Sequence, residues 1–123
     1  MSTLTPLTDV AALDAAVHES HQRPVLLFKH SRTCGISCEA LEEVHAYMAE
    51  AGDAAACRIV TVQSHRRVAD EIAVRFGIRH ETPQVILLRQ GQPTWSASHF
   101  RITARQLESV LQTAGDPAPS LPR

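Results

Sequence analysis

Pro24-Val25-Leu26-Leu27-Phe28-Lys29-His30-Ser31-Arg32-Thr33-Cys34-Gly35-Ile36-Ser37 is the stretch on which the fold turns. Pro24 opens Val25–Phe28, an unbroken apolar run of the kind found in a strand buried on both faces. Polar residues follow, and from Cys34 to about Glu50 the apolar residues recur at helical spacing. The predicted inward face of that helix carries Leu41, Val44, Met48 and Ala51, and Gly52 suits its end. A buried strand feeding a long helix, with a cysteine at the junction, sets the rest of the reading.

Upstream, Thr8 is the expected cap of a helix running to about Ser20, with Val10, Leu13, Ala16 and Val17 on one side. A short strand can precede it at Leu4–Leu7. Downstream, residues 57–62 are β-rich, and a helix carrying Val68, Ile72, Ala73 and Phe76 is stopped by Gly77. Val85–Leu88, a Gln90-Gly91 turn and a strand through Trp95 read as an antiparallel hairpin. Thr103 with Gln106 makes a capping box for a last helix bearing Leu107, Val110 and Leu111. The order predicts one three-layer α/β domain over residues 1–115, a central mixed β-sheet flanked by helices. Residues 116–123, with three prolines, are expected to be a disordered tail.

Bulk composition narrows the class of function. The 123 residues are 44% hydrophobic and 20% charged with a net charge of -1, a globular balance with room for one core. The absence of a basic run or basic amphipathic stretch argues against nucleic-acid and membrane partners. Met1–Val10 lacks a charged leader and a long apolar run, so a cytoplasmic location is expected; the protein is also expected to be a monomer. Three cysteines cannot form a complete disulfide framework, and a reducing compartment would keep them as thiols.

Cys34 is the expected nucleophile. Free amide groups and the positive end of a helix favour a thiolate there, and Lys29, His30 and Arg32 are expected to add positive charge, with Glu39 opposing weakly. Cys57, inside an apolar strand, reads instead as core. Three positions beyond Cys34 stands Ser37, so the motif is Cys-x-x-Ser and a resolving thiol is missing from its usual place. Ser37 can hydrogen-bond the Cys34 sulfur. Cys38 is an occasional resolver or a packing residue, since β-carbons four apart on a helix lie roughly 6 Å apart, against the ~3.5–4.5 Å of a disulfide. Thr82-Pro83, just before a strand, is a candidate cis-proline that would face the cysteine. A zinc set of His30, Cys34, Cys38 and His45 is disfavoured, because the strand-to-helix break interrupts its spacing, and no metal is expected.

Phe28–Ser37 resembles the active-site segment of the monothiol bacilliredoxins, the YtxJ-like proteins. So do Ala73–Gly77, His80–Gln84 and Trp95–Thr103. The resemblance implies a thioredoxin-like fold and removal of bacillithiol, a small thiol, from modified protein cysteines. Cys34 would attack the bacillithiol sulfur, release the repaired protein and carry bacillithiol until a second thiol or a reductase regenerates it. No cofactor beyond that co-substrate is implied. Thr33, Thr82, Pro83 and Arg32 would contact the substrate, and Arg32, Arg79 and His80 can attract carboxylates of an anionic thiol. Cys38, and Gly35 where proline is expected, depart from the pattern. Cys34-Gly35-Ile36-Ser37 also approaches the Cys-Gly-Phe-Ser of monothiol glutaredoxins, whose implied role is carrying an iron–sulfur cluster. The remaining histidines are expected at the surface. For His99, grouped with Trp95 and Ser98, a role in packing the hairpin on the last helix stays open.

Overall fold

The computed structural model describes residues 3–112. The chain runs β1 (Leu4–Pro6), α1 (Val10–Glu19), β2 (Val25–His30), α2 (Gly35–Ala51), β3 (Ala56–Thr61), α3 (Arg66–Phe76), β4 (Gln84–Arg89), β5 (Gln92–Ser98) and α4 (Ala104–Gln112). A 3-10 turn, His99–Arg101, joins β5 to the loop before α4. The tail expected from Asp116 lies outside the described residues.

The five strands form one mixed sheet in the order β1-β3-β2-β4-β5. β3 lies parallel to both β1 and β2, whereas β4 runs antiparallel to β2 and to β5. β2 is therefore central, and all six of its residues are buried. Alternate side chains of a strand point to opposite faces, which is why its apolar run is continuous. Leu26 and Phe28 pack with α2 and α4, and Val25 and Leu27 pack with α1 and α3. β4 divides the same way, Val85 and Leu87 against Ile86 and Leu88.

Two expectations shift by one residue. α1 is capped by Asp9, whose carboxylate accepts the Ala12 N–H at 2.8 Å, and not by Thr8. A carboxylate at that position also meets the positive end of the helix, an advantage a hydroxyl lacks. On α2 the buried stripe is Ser37, Ala40, Val44, Tyr47 and Met48, while Leu41 and Ala51 sit at its edge. Apolar identity alone hid the change, because Ser37 is polar and Ala40 is small. Of the expected capping box the Thr103 half forms, its Oγ1 accepting the Gln106 N–H at 3.1 Å, and Glu43 on α2 accepts the Ala104 N–H at 2.7 Å.

The β4–β5 turn places Gln90 (φ 55°) and Gly91 (φ 78°) in the left-handed region, as a two-residue hairpin turn requires. Gly91 also faces His21, whose ring would lie 3.0 Å from an added Cβ. Ser20 fastens this turn to the end of α1. Its carbonyl accepts the Gln90 N–H at 2.8 Å, and its hydroxyl accepts the Gly91 N–H at 2.8 Å while donating to the Val17 carbonyl. Ser20 is buried, so Ser20→Ala leaves the Gly91 N–H without its acceptor and the Val17 carbonyl without the hydroxyl donor. The expected cost is about 1–2 kcal/mol, read as a lower urea midpoint with an unchanged slope.

Candidate functional site

β2 ends at His30, and the chain must leave the sheet and restart as α2 within four residues. Each backbone group released there needs a partner. Ser37, one turn into α2 and fully buried, supplies one and meets the His30 side chain as well. Its Oγ accepts the Ser31 N–H at 2.9 Å and lies 2.8 Å from His30 Nδ1. Gln63, in the loop after β3, holds the next three residues. Its Oε1 accepts the Arg32 N–H at 3.0 Å, and its Nε2 donates to Ser31 Oγ at 2.8 Å and Thr33 Oγ1 at 3.2 Å. The parallel pairing of His30 with Thr61 brings Gln63 to this position.

Cys34 follows this clamp as the N-cap residue of α2, with extended backbone (φ -109°, ψ 121°). Its carbonyl accepts the Cys38 N–H at 3.1 Å, the first bond of the helix. Its side chain makes no capping bond and is partly exposed, so the sulfur sits at the positive end of the α2 dipole, open to a partner. Cys38 is exposed. Cys57 is buried in the core as expected, its thiol pushed up to about 11 by burial.

The positive charge expected beside Cys34 is largely absent. His30 is buried, and burial followed by Arg32 pushes it below the ordinary imidazole value, so it is neutral at pH 7. Lys29 is fully buried on the α3 face of the sheet, its Nζ 3.2 Å from His80 Nδ1. Burial pushes it down to about 8, Asp70 and Glu81 pulling upward and Arg66 downward. Only Arg32 of the three is exposed. Burial and then Lys29 also push His80 below its ordinary value, and its ring is half-buried against Lys29, a weaker setting for carboxylates than a surface cation. Ser37 makes its hydrogen bonds to Ser31 and His30; the expected bond to the Cys34 sulfur is not among them.

The Thr82-Pro83 bond is cis. Lys29 pairs with Gln84, so Pro83 lies one step along, at the same end of the sheet as the Cys34 loop. Its carbonyl accepts the His99 N–H at 3.1 Å, and His99 holds a left-handed conformation (φ 57°) with its ring exposed. Ile102, buried against α2 and α4, performs the hairpin packing that had been open for His99. The structure thus gathers Arg32, Thr33, Cys34, Thr82 and Pro83 at one end of the sheet, with Ser37 buried beneath. Sequence reasoning missed Gln63. Its one available signal was its place two residues after a strand that pairs with β2.

No group of three or more His, Cys, Asp or Glu able to hold a metal occurs among the described residues. No helix among them is long and apolar enough to cross a membrane.

The family model for the monothiol bacilliredoxin BrxC matches residues 5–107. Among solved structures, a protein described as having a thioredoxin fold and a candidate oxidoreductase role superposes with a TM-score of 0.78 at 25% identity, over 86% of this chain and 91% of its own. Fasciola hepatica thioredoxin superposes with a TM-score of 0.72 at 15% identity, covering 90% and 99% of the two chains. Malassezia sympodialis thioredoxin (Mala s 13) gives 0.70 at 15%, covering 93% and 92%. The architecture is the thioredoxin fold.

Two predictions test the clamp and the charges. Gln63→Ala should slow the reaction of Cys34 with a disulfide probe several-fold, with stability changed by no more than ~1 kcal/mol. Gln63→Glu, which keeps only the acceptor arm, should fall between. For Lys29, the unfolded chain keeps its proton to about 10.5 and the folded chain loses it near 8. Stability should therefore rise with pH across that window. Lys29→Met should abolish the rise and stabilise the protein at pH 7 by up to about 3 kcal/mol, measured by urea unfolding at several pH values.

Proposed function

We propose that this chain, which belongs to the monothiol bacilliredoxin family, removes bacillithiol from protein mixed disulfides through Cys34. A thiol-redox role follows from the family and the fold; the substrate is the further step. The observation that carries it is the pairing of Cys34 and Ser37. The first is a partly exposed thiol at a helix N-terminus, and the second fills the resolving position with a hydroxyl locked in buried hydrogen bonds.

The Cys34 thiolate attacks the bacillithiol sulfur of the substrate disulfide. The old sulfur–sulfur bond breaks as the new one forms, and the substrate cysteine leaves as a thiolate. Cys34 now carries bacillithiol. With no thiol at position 37, an external thiol attacks this disulfide next, restores Cys34 and leaves with the oxidising equivalent. Thr33, Arg32 and the backbone of Thr82 beside Pro83 are the proposed contacts for the substrate chain. The cycle needs no metal or prosthetic group, and the setting we propose is the cytoplasm, with the protein acting as a monomer.

Intact-mass spectrometry of the reduced protein mixed with a bacillithiolated protein substrate tests this. The expected product is one bacillithiol on Cys34 with the substrate thiol freed, an inert Cys34→Ser variant and an active Cys38→Ser variant. An unmodified Cys34 would overturn the reading. Visible absorbance after anaerobic purification would then point to the iron–sulfur carrier role of the glutaredoxin resemblance.

A further inference from the structure

On the α3 face of the sheet, at the Cys34 end, three neighbouring strands carry a polar residue in one row. Lys29 on β2 pairs with Gln84 on β4, and Gln84 pairs with Ser98 on β5. One step further into the sheet the corresponding row is Leu27, Ile86 and Ser96. Apolar packing would be the ordinary solution at both levels, so the polar row needs a reason.

Gln84 makes that need acute. It is 4% exposed, and its Nε2 donates to the Arg79 carbonyl at 3.0 Å. That bond fixes the amide orientation, because the reversed amide would set two oxygens against each other. Its Oε1 is buried with no hydrogen-bond partner. An orphaned acceptor of this kind costs about 1–3 kcal/mol unless something donates to it. Gln84 lines a cleft of about 290 Å³ whose walls include Arg79, Glu81, Ser96, Ser98 and Arg101. Arg79 and Arg101 are exposed cations. The Ser98 hydroxyl as a donor, then His99 and the two arginines, favour the charged form of Glu81 and hold its carboxyl below the usual range.

The cleft therefore offers two guanidinium groups, an ionised carboxylate, hydroxyls and a buried acceptor. Its complement is a ligand that carries carboxylate together with hydroxyl or ammonium donors. Glu81 and Gln84 flank Thr82-Pro83 in the chain. Ser98 stands two strands from β2, or ~10 Å at the ordinary strand spacing.

We infer that this cleft holds the non-reacting arm of the small thiol, its carboxylates on Arg79 and Arg101 and its hydroxyl or amino donors on Gln84 and Glu81. The inference rests on the bacillithiol reading and adds to it the part of the site that distinguishes this thiol from a bare cysteine. The Cys34 end of the sheet would recognise the disulfide, and the cleft would recognise what hangs from it.

Two measurements separate this inference from the function it rests on. The first uses the Cys34→Ser chain and S-methyl bacillithiol, which cannot exchange, followed by NMR. The Gln84 side-chain amide and the Ser98 backbone amide should shift together. Arg79→Ala/Arg101→Ala should weaken binding roughly tenfold or more, the loss expected for charge-assisted bonds of this kind. Arg79→Lys/Arg101→Lys should lose less. The second compares kcat/KM for one substrate protein carrying either bacillithiol or cysteine on the same residue. The ratio should fall about tenfold in the double alanine variant, chiefly through KM. Both arginines are exposed, and an unchanged urea midpoint would show the fold intact. Shifts confined to the Cys34 loop, or an unchanged ratio, would overturn the cleft assignment while leaving the transfer reading standing. Binding at the cleft by a protein that transfers nothing would do the reverse.

Discussion

A strand buried on both faces has to release its backbone into a loop, and the whole site depends on how that release is satisfied. At the end of β2 the partners are side chains. Ser37 reaches back from α2 to the Ser31 N–H and to His30, and Gln63 reaches across from the end of β3 to Arg32, Ser31 and Thr33. Together they define where α2 begins. Cys34 becomes its N-cap because the three residues before it are held outside the helix, and the dipole acts on the sulfur because the sulfur is at the first turn and nowhere else. Ser37 thus occupies the position of a resolving thiol while serving the backbone.

The same reasoning changes the electrostatic picture. Basic residues next to a cysteine in sequence need not lie next to it in space, because alternation along β2 sends Lys29 to the face opposite His30. Burial then works against both charges. Lys29 is pushed down to about 8 and shares its ammonium with His80, and His30 is held neutral against Ser37. Close to the sulfur this leaves the helix terminus and the exposed Arg32. Two further guanidinium groups, Arg79 and Arg101, stand around the cleft beyond Pro83.

Much of the fold was legible because it follows from periodicity. Val25–Phe28 announced a doubly covered strand, and Gln90-Gly91 announced a hairpin turn. Thr82-Pro83 was readable as a cis pair from its place before β4. The helix faces were harder. The buried side of α2 includes Ser37 and Ala40, which an apolar pattern passes over, so the pattern puts Leu41 and Ala51 on the inward face beside Val44 and Met48 although they lie at its edge. The placement of Cys34 at the start of α2 was legible, with Arg32, Thr33 and the Thr82-Pro83 pair at the same end of the sheet, since each belongs to a local motif. Gln63, His80 and Gln84 were not, because their roles depend on which strands are neighbours: Gln63 through β3, Gln84 through the pairing of β2, β4 and β5. A single sequence carries no local mark of that order.

Cys38 is a second thiol one turn from Cys34, and the local geometry sets it apart from the site. Its N–H donates to the Cys34 carbonyl, so the two cysteines are joined by the first hydrogen bond of α2. Two helical positions four apart would set β-carbons roughly 6 Å apart against the ~3.5–4.5 Å of a disulfide, and Cys34, the extended N-cap, is tied to Cys38 by that first hydrogen bond. Closing that gap means opening the first turn, and that turn carries Ser37. Moving Ser37 would strip the Ser31 N–H of its acceptor in a buried setting, at a cost of about 1–3 kcal/mol beyond the helical bond itself. An external thiol meets Cys34 with none of these bonds disturbed. The polar lock that places Cys34 therefore also disfavours its pairing with Cys38, which is why the proposed cycle calls on a thiol from outside.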